Sequence, residues 1–234
     1  MDINVSKSAV VSYHRTEQRI DFYYTMNNAI LPRKNAIRDL GVLMSYDLNP
    51  DLHINTICNK ASKALGFVIR CGRYGLDVNA LRTLYMTQVR PVLEYGSLIW
   101  NPHQISHISR VEKIQNRFLR SIGVKLGHEF YTVPIEDIRI DMGLPRLSDR
   151  RQSADLSFLW KLLNGEVDAP EILRLTNFHV PRHFRHIQLF NKASFSTNYA
   201  FHSTIPRLHR IGNQACQHVD VFTCKLKAIK NIIV

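Results

Sequence analysis

Residues 105–123 read ISHISRVEKIQNRFLRSIG, a stretch in which apolar and charged side chains recur with the period of an α-helix. With successive residues about 100° apart, apolar side chains fill much of one side of this helix. Four cations share the other side, within about 80°: Arg110, Lys113, Arg117 and Arg120. Gly123 then ends the pattern, because glycine readily adopts the left-handed conformation that closes helices. We therefore predict a two-faced helix over 105–122.

Two further helices are predicted upstream of this one. Asn49-Pro50-Asp51 marks a helix start, with Asn49 as the N-cap, and apolar residues continue at helical spacing to about residue 73. A second helix is capped by Asp77 and runs from 78 to about 99, with an interruption expected at Pro91. The three helices can bury their apolar stripes against one another, so 49–127 is predicted to form a compact bundle.

The chain on either side of the bundle differs from it. Residues 1–48 indicate β-structure, with strands at 9–13, 20–26, 29–31 and 37–44 and a turn at Asn27-Asn28. Residues 128–175 predict further helices, most clearly over 148–164. Residues 176–234 show no sustained period, and we expect them to be irregular and poorly ordered, with a last helical piece near 219–231 at best. The predicted fold class is α+β and mainly α, with a small antiparallel hairpin sheet before the bundle.

The positive charge of the chain is concentrated in two blocks. The formal net charge is +12. Residues 51–127 carry eleven Lys and Arg against four Asp and Glu, and residues 176–234 carry eight against one. Such blocks suit a polyanion, most often the phosphates of nucleic acid. The alternative is a solvated basic surface or an unstructured tail.

Eight cations on the first and third helices are candidate phosphate ligands. They recur about one helical turn apart, and an arginine can bind a phosphate through two hydrogen bonds. Glu112 is the only acid in the third helix, whereas a face that only keeps a helix soluble usually mixes signs. That solvated face remains the alternative. The candidates are Lys60, Lys63, Arg70, Arg73, Arg110, Lys113, Arg117 and Arg120.

Several short segments occur here in an order and spacing that resemble the reverse transcriptases of non-LTR (LINE-type) retrotransposons, most closely the jockey-like elements of insects. The resemblance covers about residues 3–210 and implies the edge of the polymerase palm followed by the thumb, which grips a primer–template duplex. It places Leu40, Gly41 and Val42 near the primer end. The segments are 3–7, 38–42, 60–70, 84–96, 114–120 and 150–165.

Gly41 also has a structural interpretation that does not depend on the resemblance. Without a side chain it would let a backbone or a ligand approach closely, or it would mark a simple β-bulge.

The resemblance also shows what this sequence lacks. Polymerisation in the family requires magnesium held by an aspartate pair and a further aspartate, and no Asp-Asp pair occurs here. We therefore expect a fragment of an RNA-directed DNA polymerase that is inactive alone, has no catalytic or metal-binding residues, and would need magnesium only together with the missing palm. Its partner would be an RNA or DNA primer–template duplex. The alternatives are a decayed copy without function and a co-opted nucleic-acid or protein interaction module.

The remaining patterns predict little chemistry. Four scattered cysteines without a signal peptide indicate reduced thiols and no disulfide-linked partner. The ligand spacing from His209 through Cys216 and His218 to Cys224 fits no common zinc pattern, so surface His and buried Cys are favoured. His179, His183 and His186 are separated by Pro181 and lack a partner acid. We expect no membrane association and an intracellular protein, nuclear if expressed.

Overall fold

A computed structural model of the protein describes residues 4–15, 22–179 and 188–230. The protein is mainly α-helical, and two small antiparallel β-hairpins precede the helices, which confirms the predicted fold class. No helix in the described ranges is both long and apolar enough to span a bilayer.

The first hairpin forms where the sequence indicated a turn. Strands β1 (Thr25–Met26) and β2 (Ala29–Ile30) pair around Asn27 and Asn28, whose φ angles are 51° and 60°. Asparagine tolerates this left-handed region better than most residues, so the prediction of the turn is confirmed. Residues 20 and 21, predicted to begin the strand, lie outside the described residues. The predicted strand at 9–13 is reduced to an isolated bridge between Val10 and Arg33.

The prediction of one strand over 37–44 was wrong. The segment is a second hairpin, in which β3 (Ala36–Asp39) pairs with β4 (Val42–Ser45). Leu40 and Gly41 form the two-residue turn with φ angles of 43° and 89°. The sequence of 37–44 did not indicate this turn, because leucine rarely adopts a positive φ. Tyr95, which lies outside the hairpin, stabilises this turn, because its hydroxyl donates a 2.8 Å hydrogen bond to the Leu40 carbonyl.

The body of the molecule is built on two long parallel helices, α1 (Asp51–Arg73) and α5 (Ile105–Lys125). Near their N-terminal ends, Arg110 of α5 contacts Asp51 of α1 at 2.7 Å. Near their C-terminal ends, the Lys125 Nζ donates to the Gly72 carbonyl at 3.1 Å. The predicted apolar stripes of both helices lie in one core.

The chain between these helices is interrupted where proline predicted it. Helix α2 (Val78–Leu84) passes into a π-helical turn (Tyr85–Val89), and α3 (Arg90–Glu94) follows. Pro91 has no N–H to donate, and the Arg90 N–H reaches back five residues to the Tyr85 carbonyl. A short helix α4 (Ser97–Trp100) completes the connection. The predicted single helix over 78–99 is therefore several pieces.

Three helices occupy 134–174, as predicted. They are α6 (Ile135–Asp141), α7 (Leu147–Leu163) and α8 (Pro170–Arg174). Helix α7 is the one that the sequence indicated most clearly, and it contributes to both hydrophobic clusters of the protein: Leu147 to the first, Leu156 and Leu159 to the second.

The prediction of irregular structure after residue 176 was wrong for a substantial part of that segment. Helices α9 (Asn198–His202), α10 (Thr204–Ala215) and α11 (Leu226–Lys230) form there, and only α11 falls on the predicted helical piece. Pro206 lies in the first turn of α10, where a missing N–H costs no helical hydrogen bond. Helices α10 and α11 pack on α7, in a cluster that includes Phe190, Leu208 and Ala215.

Candidate nucleic-acid interface

Six of the eight candidate cations lie on the outer sides of the parallel helices α1 and α5, which we call the basic face. Its members are Lys63, Arg70 and Arg73 of α1 and Lys113, Arg117 and Arg120 of α5; all but Arg120 are exposed, and Arg120 is half-buried. Within the described ranges, none of the six has a carboxylate at ion-pair distance. The face therefore presents uncompensated positive charge.

The two acids of α1 and α5 are engaged elsewhere. Asp51 accepts hydrogen bonds from Arg110 and pairs with His107 at 3.1 Å. The Glu112 Oε1 accepts a 2.7 Å hydrogen bond from the backbone N–H of Ser148, at the start of α7. Because each carboxylate is held by a neighbouring group, neither neutralises the basic face.

Arg110 has a structural role that its helical position did not reveal. Its Nη1 donates to the Asp51 Oδ1 at 2.7 Å and also to the Asn55 side chain, so it ties α5 to α1. The hydrogen bond from Arg110 is the main reason that the pKa of Asp51 lies below its usual range, with a further contribution from the charge of Arg110 and from His107. A phosphate at Arg110 would have to compete with this carboxylate.

Lys60 is the other candidate that the structure separates from the group. Cys58 and Asn55 mark the side of α1 that faces α5, because both contact Arg110. Lys60 follows Cys58 by two residues, which turns it about 200° around the helix. It is exposed, but on the side of α1 away from α5.

The three residues that the resemblance placed near a primer end have different environments. Leu40 is 86% exposed at the hairpin turn, whereas Val42 is buried in the core. A Cβ on Gly41 would lie 3.1 Å from the ring of Tyr95, so the group that approaches this glycine closely is a side chain of the protein itself. Gly41 lies in a turn and not in a bulge, and contact with a primer remains a prediction.

A cleft of about 420 Å³ lies between β4, the N-terminus of α1 and helices α9 and α10. His103 and His202 stack at its rim with ring centroids 4.1 Å apart. Burial lowers the pKa of both imidazoles, and neighbouring histidine and arginine charges lower them further. Sequence reasoning missed this cleft because its walls come from segments far apart in the chain.

The structure gives the candidate zinc ligands other roles. His209 is buried and stacks on Phe190 with ring centroids 4.6 Å apart. Burial raises the pKa of the Cys216 thiol to about 11, with smaller effects from Asp220 and Cys224, so the metal-binding thiolate is disfavoured. Across the described ranges, no three His, Cys, Asp or Glu side chains come together as metal ligands would. His183 and His186 lie outside these ranges.

Comparison with known proteins gives a partial relationship. Over 122 residues the chain is 30% identical to the probable RNA-directed DNA polymerase from transposon X-element of Drosophila melanogaster. This match covers 51% of this chain and 13% of that protein. Over 143 residues, 61% of the chain, it is 24% identical to an uncharacterized protein of Caenorhabditis elegans, of which it covers 71%. No protein-family model and no solved structure matches. The chain is thus similar, over half of its length, to a small part of a retrotransposon reverse transcriptase.

Proposed function

We propose that this chain is a thumb-like, nucleic-acid-holding part of a non-LTR, jockey-like retrotransposon reverse transcriptase, and that its basic face binds the phosphates of a primer–template duplex. The observation that carries the proposal is a set of six cations on α1 and α5, none of which has a carboxylate partner among the residues that the structure describes. The partial similarity to the X-element polymerase supports the same class of partner.

The positive charge of the basic face gives a physical reason for binding to phosphates. Binding to DNA gains free energy largely by releasing counterions, one for each phosphate that a lysine or arginine neutralises. A cation already paired with a carboxylate gains less, because that pair must first be broken. Among the described residues no carboxylate has to be displaced from these six side chains, and their two helices share one apolar core.

We further propose that the chain does not polymerise by itself. The aspartate pair that holds magnesium in this family is absent from the sequence. The basic face would therefore serve catalysis only together with a palm. A decayed copy, or a module that binds nucleic acid for another purpose, would share this absence.

The proposal is tested by neutralising part of the basic face. We expect Lys63→Gln/Lys113→Gln/Arg117→Gln to weaken binding of a fluorescent duplex by about tenfold or more at low salt. The matched control is Lys192→Gln/Lys225→Gln/Lys227→Gln, which removes the same charge from exposed positions in the C-terminal region. Fluorescence anisotropy measures both. Equal losses would show that only net charge matters, and unchanged affinity in the first variant would refute the proposal.

A further inference from the structure

Exposed aromatic rings follow both long helices, close to the point where their C-terminal ends are joined. The ends of α1 and α5 are joined there by the hydrogen bond from Lys125 to Gly72. Tyr74 follows α1 directly and is 89% exposed, and Tyr131, in the loop after α5, is 94% exposed. Phe130 beside it is also exposed. Large rings left in water next to one another are unusual on a surface that serves only solubility.

The loop after α5 holds its rings in a fixed turn. The Thr132 N–H donates to the Glu129 carbonyl at 3.1 Å, so Phe130 and Tyr131 occupy the two central positions of a β-turn and project from its corner. Residues at both ends of this loop contact Gly123. The His128 N–H donates to the Gly123 carbonyl at 3.0 Å, and Val133 packs so closely that a Cβ on Gly123 would lie 2.3 Å from it.

Cations of the basic face adjoin these rings. The Arg120 guanidinium lies 5.3 Å from the centroid of the Phe130 ring, and Phe130 meets Tyr131 edge to face at 5.2 Å. Arg73 immediately precedes Tyr74. Rings interleaved with cations are the arrangement that holds single-stranded nucleic acid, because bases stack on the rings while the cations neutralise the backbone.

We infer that Tyr131, Phe130 and Tyr74 form a stacking platform for unpaired nucleotides, so that a single strand leaving the duplex on the basic face is held at this end. The inference rests on the proposed function, since the rings lie next to cations of the basic face, which is proposed to hold the duplex. Stacking is tolerant of sequence, because every base has a π-face. The platform would therefore distinguish single-stranded from paired nucleic acid and not one base from another.

The test compares a blunt DNA duplex, the same duplex with an oligothymidine overhang, and oligothymidine alone. We expect Phe130→Ala/Tyr131→Ala to weaken binding of the overhang duplex and of the single strand by about fivefold or more, and to leave the blunt duplex unchanged. Tyr131→Trp should retain binding. Tyr23→Ala, an exposed ring near the first hairpin, is the matched control and should have no effect. A 2-aminopurine in the overhang should be quenched by the wild type and not by the double variant.

Each outcome separates this inference from the proposed function. Equal weakening of all three ligands, or no weakening of any, would overturn the platform, and a docking site for another protein would give the second result. If the wild type bound only the single strand and the double variant did not bind it, the result would support the platform and contradict the proposed binding of a duplex. Absence of binding to all three ligands would overturn both.

Discussion

At the scale of the residue, Arg110 shows where a helical wheel is informative and where it stops. Its position relative to Lys113 and Arg117 follows from the period of the sequence, and the structure leaves Lys113 and Arg117 exposed but Arg110 only half-exposed. The wheel could not show that Asp51, far away in sequence, lies 2.7 Å from the guanidinium. Tertiary pairing of this kind depends on how α1 and α5 pack, which no local pattern contains.

This difference predicts separate roles for neighbouring cations. Arg110→Gln should lower the free energy of unfolding by about 0.5 to 1 kcal/mol, because it breaks a partly exposed ion pair. Lys113→Gln should leave stability within about 0.5 kcal/mol of the wild type, because Lys113 is exposed and pairs with no carboxylate in the described part of the chain. Urea unfolding followed by circular dichroism measures both. Equal stability of the two variants would contradict the tethering role of Arg110.

At the scale of the element, the long helices could be predicted and the short connections could not. Helices α1, α5 and α7 repeat their apolar residues over several turns, so the pattern has one interpretation. The β3–β4 hairpin has a leucine in its turn, and α10 has a proline in its first turn, so each carries a residue that indicates something else. Tyr95 stabilises the unfavourable turn through its hydrogen bond, whereas Pro206 needs no compensation, because the first turn of a helix has no partner for the missing N–H.

The hairpin turn gives a prediction of stability. Leu40 has a φ of 43°, a conformation that costs a leucine more than an asparagine, and its side chain is exposed, so little buried area would be lost. Leu40→Asn should therefore raise the free energy of unfolding by about 0.5 to 1 kcal/mol. Leu175→Asn is the control, because Leu175 is an exposed leucine with φ of −82° and should gain nothing. Thermal unfolding of the two variants checks this, and a destabilised Leu40→Asn would contradict it.

At the scale of the whole molecule, a buried ion pair joins the C-terminal helices to the body. The fully buried Asp155 of α7 accepts a 2.8 Å hydrogen bond from the Arg207 Nε of α10 and a 3.0 Å bond from Asn101. Arg207 also donates to the Leu98 carbonyl of α4 at 2.7 Å. The three segments come from distant parts of the sequence, which is why the lack of a sustained period after residue 176 suggested irregular structure.

Breaking this junction should be costly. Arg207→Gln removes the hydrogen-bonded counter-ion of the buried Asp155 carboxylate, so we expect a loss of about 3 to 5 kcal/mol in the free energy of unfolding. Arg174→Gln is the control, because the Arg174–Glu171 pair is largely exposed and should contribute under about 1 kcal/mol. If urea unfolding gave similar losses for both, the C-terminal helices would not be held by this ion pair.

The catalytic prediction also belongs to the whole molecule. With Mg²⁺, a primer–template and deoxynucleotides, the chain alone should extend primers only at background level, because its sequence contains no aspartate pair to hold the metal. Extension above the level of a heat-denatured control would show that other carboxylates of this chain suffice. It would remove the reason for treating the chain as dependent on a separate palm.

The central claim is that the cations of the basic face contact phosphates, and the salt dependence of duplex binding measures this most directly. The logarithm of the association constant falls linearly with the logarithm of salt concentration, with a slope of about 0.9 for each phosphate contact. Lys63→Gln/Lys113→Gln/Arg117→Gln should therefore make the slope shallower by about three, whereas Lys192→Gln/Lys225→Gln/Lys227→Gln should leave it unchanged. Unchanged slope in the first variant would contradict the claim.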